Sequence, residues 1–216
     1  MLTPDLDITD KNNIIIYHTH TCESYTPSEA YNYTMTGNYR TTDLNYSVAR
    51  VGTELTDDLK EKGFNVLHDT TYHDYPAYSG SYTRGLATIQ KDLGEFPSQL
   101  VIDLHRDAVG STNTYGPTTE INGETVAQIM IVCGTDSSGL EDPNWDQNLK
   151  IAVKIQEKAN EMYPGLFRPI NVSNNRYNLH VTTGALLMEV GATGNTLDQC
   201  IASVKYLADV YAEVCK

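Results

Sequence analysis

Short apolar runs alternate with longer segments in which apolar positions recur every three or four residues. Residues 13–17 (NIIIY), 63–67 (GFNVL), 100–104 (LVIDL), 125–133 and 185–190 (ALLMEV) are rich in β-branched and aliphatic side chains. Runs of this length read as strands covered on both faces. Between them, Val48, Val51, Leu55 and Leu59 share one face of a helix, and Gly63 follows as a terminator. Leu86, Ile89 and Leu93 repeat that spacing ahead of Pro97. Leu149, Ala152, Ile155 and Ala159 repeat it ahead of Pro164 and Gly165. Ile201, Val204, Ala208 and Tyr211 predict a last helix, opened by Thr196 and Gln199 at capping-box spacing. The alternation predicts an α/β fold: a mostly parallel twisted sheet with helices on both faces. Asn122-Gly123, between two strand-like runs, predicts a tight hairpin and with it an antiparallel edge. Two Tyr-rich polar stretches, 21–45 and 69–84, read as long loops, which in a compact domain are often functional.

With 216 residues the chain fits one domain. Residues 1–10 are expected to be a linker remnant and 11–216 a single catalytic domain. Lys and Arg number 15 against 28 Asp and Glu, a net charge of −13. That surface repels duplex nucleic acid and weighs against an anionic membrane face. No run of about 18 apolar residues spans a bilayer, and no basic-then-apolar leader opens the chain. The four cysteines, Cys22, Cys133, Cys200 and Cys215, form no paired CxxC pattern. The 15 Tyr against 3 Phe and 1 Trp change the picture more. Rings with a polar tip suit wet grooves that hold carbohydrate or peptide, although composition alone favours the plainer reading that Tyr replaces Phe in a polar protein.

Candidate chemistry collects where predicted strands end, as it does in open α/β sheets. His20 and Glu23 follow the first strand three residues apart, the H-x-x-E spacing of zinc carboxypeptidases, and both are good zinc ligands. His18 is a rival to His20, because residues two apart on an extended chain point the same way. His105, ending the third strand, supplies the third ligand that catalytic zinc requires, with Asp103 or Asp107 to orient an imidazole. Glu189 sits inside an apolar strand, where burial raises a carboxyl pKa toward that of a general base. Arg106 is placed to steady an oxyanion. His68, Asp69, His73 and Asp74 form a second cluster, with a solvated loop as the plainer reading, and His180 is a weak candidate for the site mouth. Cys22 has no orienting partner for thiol catalysis. GxGxxG, Walker and GxSxG motifs are absent.

The motifs IYHTHTCESY, HDTTYHDYPAYSGSYTR, VIDLHRDAVG, PNWDQNLKIA and LLMEVGATGNT, in that order over nearly the whole chain, resemble the stage II sporulation protein P family. That family comprises membrane-anchored N-acetylmuramoyl-L-alanine amidases of spore formers. The resemblance implies a zinc-dependent amidase fold, a Zn2+ cofactor, and peptidoglycan as substrate, cut between N-acetylmuramic acid and L-alanine. It implies action in engulfment beside stage II sporulation proteins D, which cleaves glycan strands, and M, a membrane partner. It further implies an extracytoplasmic place between the mother-cell and forespore membranes, tethered by an N-terminal anchor missing from this chain. Residue by residue, the family's first metal motif falls on His18, His20 and Glu23, its second metal histidine on His105, and its catalytic glutamate on Glu189. Within the same motifs His73, Asp74, Tyr82, Arg84 and Asn195 are the expected substrate contacts. Cys22 and His180 depart from the family pattern, where a small polar and an acidic residue are expected. A zinc peptidase cutting within stem peptides or cross-links is the alternative enzyme, and a catalytically dead wall-binding scaffold the alternative class.

Overall fold

The computed structural model describes residues 8–34, 38–109 and 114–215. One sheet is built from β1 (Asn13–Tyr17), β2 (Asn65–His68), β3 (Leu100–Asp107), β6 (Ile129–Cys133), β7 (Asn171–Val172) and β8 (Gly184–Ala192). These six strands run in the order β2-β1-β3-β8-β6-β7. β1, β2, β3 and β8 are parallel, and β6 is antiparallel to β8. The helices are α1 (Val48–Glu61), α2 (Ser81–Glu95), α3 (Trp145–Met162) and α4 (Leu197–Val214). Side chains alternate across the pleat. Ile14, Ile16, Ile102, Leu104, Leu186 and Met188 therefore face one core, shared with α1, α3 and α4. Ile15, Tyr17, Val101, Ala185 and Leu187 face the other, closed by Ile89 of α2. Three successive isoleucines of β1 are fully buried, each stabilising the fold by about 1.5–3 kcal/mol relative to exposure.

The helices start where their caps place them. Ser47 accepts the Ala49 N–H to open α1, and Thr196 with Gln199 forms the expected capping box of α4. The hairpin forms too, with Asn122 and Gly123 both at positive φ between β4 (Thr118–Ile121) and β5 (Glu124–Ala127). It is not an edge of the main sheet: it forms a separate two-stranded ribbon. The predicted 125–133 strand breaks at Gln128, whose N–H donates to the Pro117 carbonyl and whose carbonyl accepts from Gly191. The hairpin peels away there and packs on α4 through Ile121, Val126 and Tyr206. At the other end of the sheet β7 is only two residues long, a blunted edge. Ile8 is buried in the main core, and the N–H groups of Thr9 and Asp10 donate to Gln99 Oε1; residues 1–7 lie outside the described residues.

The stretch expected as the loop 21–45 is pinned along its length, apart from residues 35–37, which lie outside the described residues. Isolated bridges pair Glu23 with Arg40, Ser24 with Ser47 and Thr26 with Thr196. Gly52 in mid-helix has a packing reason. A Cβ there would come within 2.7 Å of His68 Nε2 and 2.8 Å of His18 Nε2.

Candidate active site

β1, β3 and β8 are neighbours, so their carboxyl ends converge. His105 and Glu189 are register partners in the β3–β8 pair. His20 lies in a tight turn just after β1, closed by the Glu23 N–H donating to the His20 carbonyl at 3.0 Å. That turn brings the two side chains round to β3. His105 Nδ1 stands 3.4 Å from Glu23 Oε2, and the His20 and His105 rings are 5.3 Å apart, edge to face. Asp103 backs the cluster: it accepts from the Thr19 N–H and hydroxyl, and its Oδ1 lies 2.9 Å from His105 Nε2. That last contact is ionic in distance but lacks the alignment of a hydrogen bond.

The charges here are strongly coupled. Burial works against a charged His105, but Asp103 and Glu23 outweigh it and hold the imidazole above its ordinary pKa. Burial likewise pushes Glu23 up, yet His105, Arg106 and His20 hold it below the usual carboxylate range. Glu189 goes the other way. Burial pushes its carboxyl up to about 8, helped by the negative charges of Glu23 and Asp107. Its Oε2 is buried without a hydrogen-bond partner, as is His20 Nδ1. Two carboxylates of one locality thus sit at opposite protonation tendencies, the arrangement that assigns separate roles to an acid and a base.

Among the described residues, no three His, Cys, Asp or Glu side chains are spaced to hold a metal as they stand. The donor chemistry nevertheless fits a zinc-type cation. Two imidazoles and an ionised carboxylate face one another, one nitrogen of each imidazole is buried without a hydrogen bond, and Asp103 and Glu23 favour positive charge between them.

The remaining predicted residues divide. His18 does not join the cluster. The chain turns after it, and its ring is buried under α1, with Nδ1 on the Leu104 carbonyl at 2.8 Å and Nε2 on His68 Nε2 at 2.9 Å. Arg106 does not face Glu189 as an oxyanion donor would. Its guanidinium clamps the loop, donating to the Ser24 carbonyl at 2.8 Å and the Tyr39 carbonyl at 3.1 Å. Asp107 pairs with Arg168 rather than with an imidazole. His73 is buried between the His18 carbonyl and the Thr88 hydroxyl. Arg84 binds the carbonyls of His73, Ala77 and Ser79, and Asn195 is buried on Ala192, Pro117 and Gln199. The polar groups of His73 and Asn195 are used by the fold; Arg84 is exposed and spends Nε and Nη2 on carbonyls of its own loop. Asp74 is ion-paired with Arg40 and lies 3.8 Å from His20 Nδ1, so it borders the site from behind. Tyr82 stands at the site itself, its ring edge-on to His20 at 5.5 Å.

Tyr78 was not singled out by the sequence. It stacks on His20 at 4.6 Å, bonds His20 Nε2 through its hydroxyl at 3.2 Å, and is 59% exposed. Arg40 covers it at 5.0 Å. Beside it a cavity of about 410 Å³ is lined by Arg40, Thr41, Thr42, Tyr75 and Tyr78. The excess of tyrosine was the signal for this wall.

The chain matches the family model of stage II sporulation protein P over residues 5–212. The chain belongs to that family. It is 28% identical to stage II sporulation protein P of Bacillus subtilis (strain 168) over 229 residues, covering 95% of this chain and 51% of that protein. It thus spans about half the length of the relative it matches. Its fold is that of the CwlD amidase from Clostridioides difficile, solved in complex with the GerS lipoprotein (TM-score 0.55, 12% identity, 93% of this chain and 94% of that one). It is shared by the N-acetylmuramoyl-L-alanine amidase AmiC2 of Nostoc punctiforme (TM-score 0.53, 12% identity, 95% and 96%). The N-acetylmuramoyl-L-alanine amidase from Clostridium difficile 630 has it as well (TM-score 0.54, 17% identity, 94% and 93%). No helix among the described residues is long and apolar enough to cross a membrane.

The His18–His68 pair gives a stability prediction for the metal-free domain of this family member. Burial and the neighbouring imidazole lower His18 to about 3, and burial lowers His68 to about 4. Between pH 6.5 and these values the unfolded chain binds protons at both positions and the folded chain does not. Stability therefore falls on acidification, by about 1.4 kcal/mol per pH unit for the fully buried His18 and less for His68. Glu189, raised, acts with the opposite sign between pH 4.5 and 8. Urea unfolding from pH 6.5 to 5 should accordingly show a greater loss in Glu189→Gln than in the parent chain. Equal losses would contradict the assignment.

Proposed function

We propose that this domain is a zinc-dependent N-acetylmuramoyl-L-alanine amidase, hydrolysing the amide between N-acetylmuramic acid and the L-alanine of peptidoglycan stem peptides. The observation that carries this reading is Glu189: a half-buried side chain whose carboxyl is raised to about 8, in register with His105 and within the field of Glu23. Family membership and the shared fold support it. Zinc would be held by His20, Glu23 and His105, and when bound it supplies a water of pKa near ~7 and polarises the scissile carbonyl. Glu189 takes the proton of the attacking water and hands it to the alanine nitrogen as the C–N bond breaks. The products are a muramoyl carboxylate and a peptide with a free amino terminus. A base near the working pH performs both transfers without a large proton-transfer penalty. Asp103 holds the His105 ring, and the Tyr78 and Tyr82 rings shape the groove beside His20.

The same reading places the domain outside the cytoplasm, tethered to the membrane and active in engulfment, with stage II sporulation proteins D and M as partners. The test is digestion of sacculi followed by mass spectrometry. Intact stem peptides freed from glycan are expected. Cut cross-links would make the domain an endopeptidase, and binding without release would make it a scaffold. Incubation with a chelator should abolish release, and added zinc should restore it; activity indifferent to both would remove the metal from the reading.

A further inference from the structure

One cation is built into the rim of the site with part of its donor set unused. The N–H of Arg168 donates to the Ile129 carbonyl at 2.8 Å, and Ile129 pairs with Val190, the residue after Glu189. The Arg168 backbone thus lies two strand spacings from β8, about 10 Å. Its side chain runs back over the end of the sheet to β3, where Nη1 donates to Asp107 Oδ2 at 2.8 Å. Asp107 is two residues beyond His105 and opposite Ala192 of β8. The guanidinium therefore bridges the end of β8 just past Glu189. The ring of Tyr115, 40% exposed, lies 5.7 Å from its Cζ. Nε and Nη2 are buried and have no hydrogen-bond partner.

Those two nitrogens form one edge of the guanidinium fork. Their N–H groups run parallel, the geometry that grips a carboxylate in two hydrogen bonds. A structural ion pair with Asp107 uses the other edge and has no need to bury this one unpaired, which is unfavourable. Asp107, its ion-pair partner, and Glu189, just before the strand end it bridges, are acidic, and the chain carries −13 overall. An anionic ligand entering there requires a fixed cation to meet it.

We propose that Arg168 is a specificity-determining residue that binds a carboxylate of the peptide on the leaving side of the scissile amide, the Tyr115 ring swinging aside to admit it. The proposal rests on the amidase reading and names its peptide subsite. An extended chain advances about 3.3–3.6 Å per residue, so the carboxylate belongs to one of the first three residues of the stem.

The experiment is calorimetric titration of the purified domain with three-residue stem peptides that begin with L-alanine. Their free carboxylates are replaced one at a time by carboxamides. One replacement should weaken binding to the parent domain by about tenfold or more. Arg168→Gln should bind that carboxamide and its parent peptide alike, and Arg168→Lys should recover part of the difference. The proposal is overturned if no replacement alters binding to the parent domain, or if Arg168→Gln weakens every peptide by one common factor, as a scaffolding ion pair would. If Arg168→Gln fails to fold, Arg168→Lys decides: a preference for the carboxylate smaller than the parent's supports the proposal, and an unchanged preference overturns it. Because binding is read without the sugar, failure to hydrolyse muramoyl peptides would sink the amidase reading and leave this result standing.

Discussion

Glu189→Gln is expected to lower kcat for release of stem peptides by about 10²–10⁴-fold, the usual contribution of a positioned general base, while zinc content stays unchanged. Glutamine keeps the volume and one acceptor oxygen of the side chain. It cannot take a proton from water or return one to the departing nitrogen. The carboxyl it replaces is raised by burial to about 8 and has one oxygen without a partner. The amide also removes an ionisation that the folded chain resists, so the variant should be no less stable than the parent near neutral pH. A loss of activity with retained metal and retained melting temperature isolates proton transfer as the missing step. Normal turnover would mean that another group moves the proton.

Much of the frame behind this site is legible in the sequence, because apolar spacing and burial are the same information. The NIIIY run became β1, the three-and-four spacing became four helices, and Thr196 with Gln199 became a cap. The convergence of His20, Glu23, His105 and Glu189 follows from neighbouring parallel strands ending together. What could not be read was the use of each polar group. Arg106, His73, Arg84 and Asn195 carry the same side chains that a substrate site would, but Arg106, His73 and Asn195 bond backbone groups distant in the chain, and Arg84 bonds carbonyls of its own loop. Spacing also misled at His18. The expectation of an extended chain past Tyr17 fails because a turn begins at Thr19, sending His18 under Gly52 and His20 toward β3. The hairpin was legible from Asn122-Gly123 but its detachment was not, since the break at Gln128 depends on tertiary hydrogen bonds.

His105→Ala tests the other half of the site. His105 is buried between Asp103 and Glu23 and is held above its ordinary pKa by both. Removing it takes away one of the three proposed zinc donors and leaves two carboxylates in a buried space without the group between them. Loss of an outer-shell partner alone costs about 10–100-fold in metal affinity. Loss of a ligand should exceed that, so zinc affinity measured by chelator competition is expected to fall by more than about 100-fold, with activity falling alongside. Stability of the metal-free domain should drop as well. Breaking a buried ionic pair by deleting one partner costs roughly 3–5 kcal/mol, reduced here to the extent that Asp103 or Glu23 takes up a proton. That relief gives the variant a signature of its own: its urea midpoint, measured against the parent's, should recover on going from pH 7 toward pH 5, because the orphaned carboxylates then become neutral. His105→Gln, which cannot carry a charge but fills the space, should share the loss of zinc and show less of the loss in packing. Unchanged zinc content in both variants would remove His105 from the metal site and leave it as the partner of Asp103 alone.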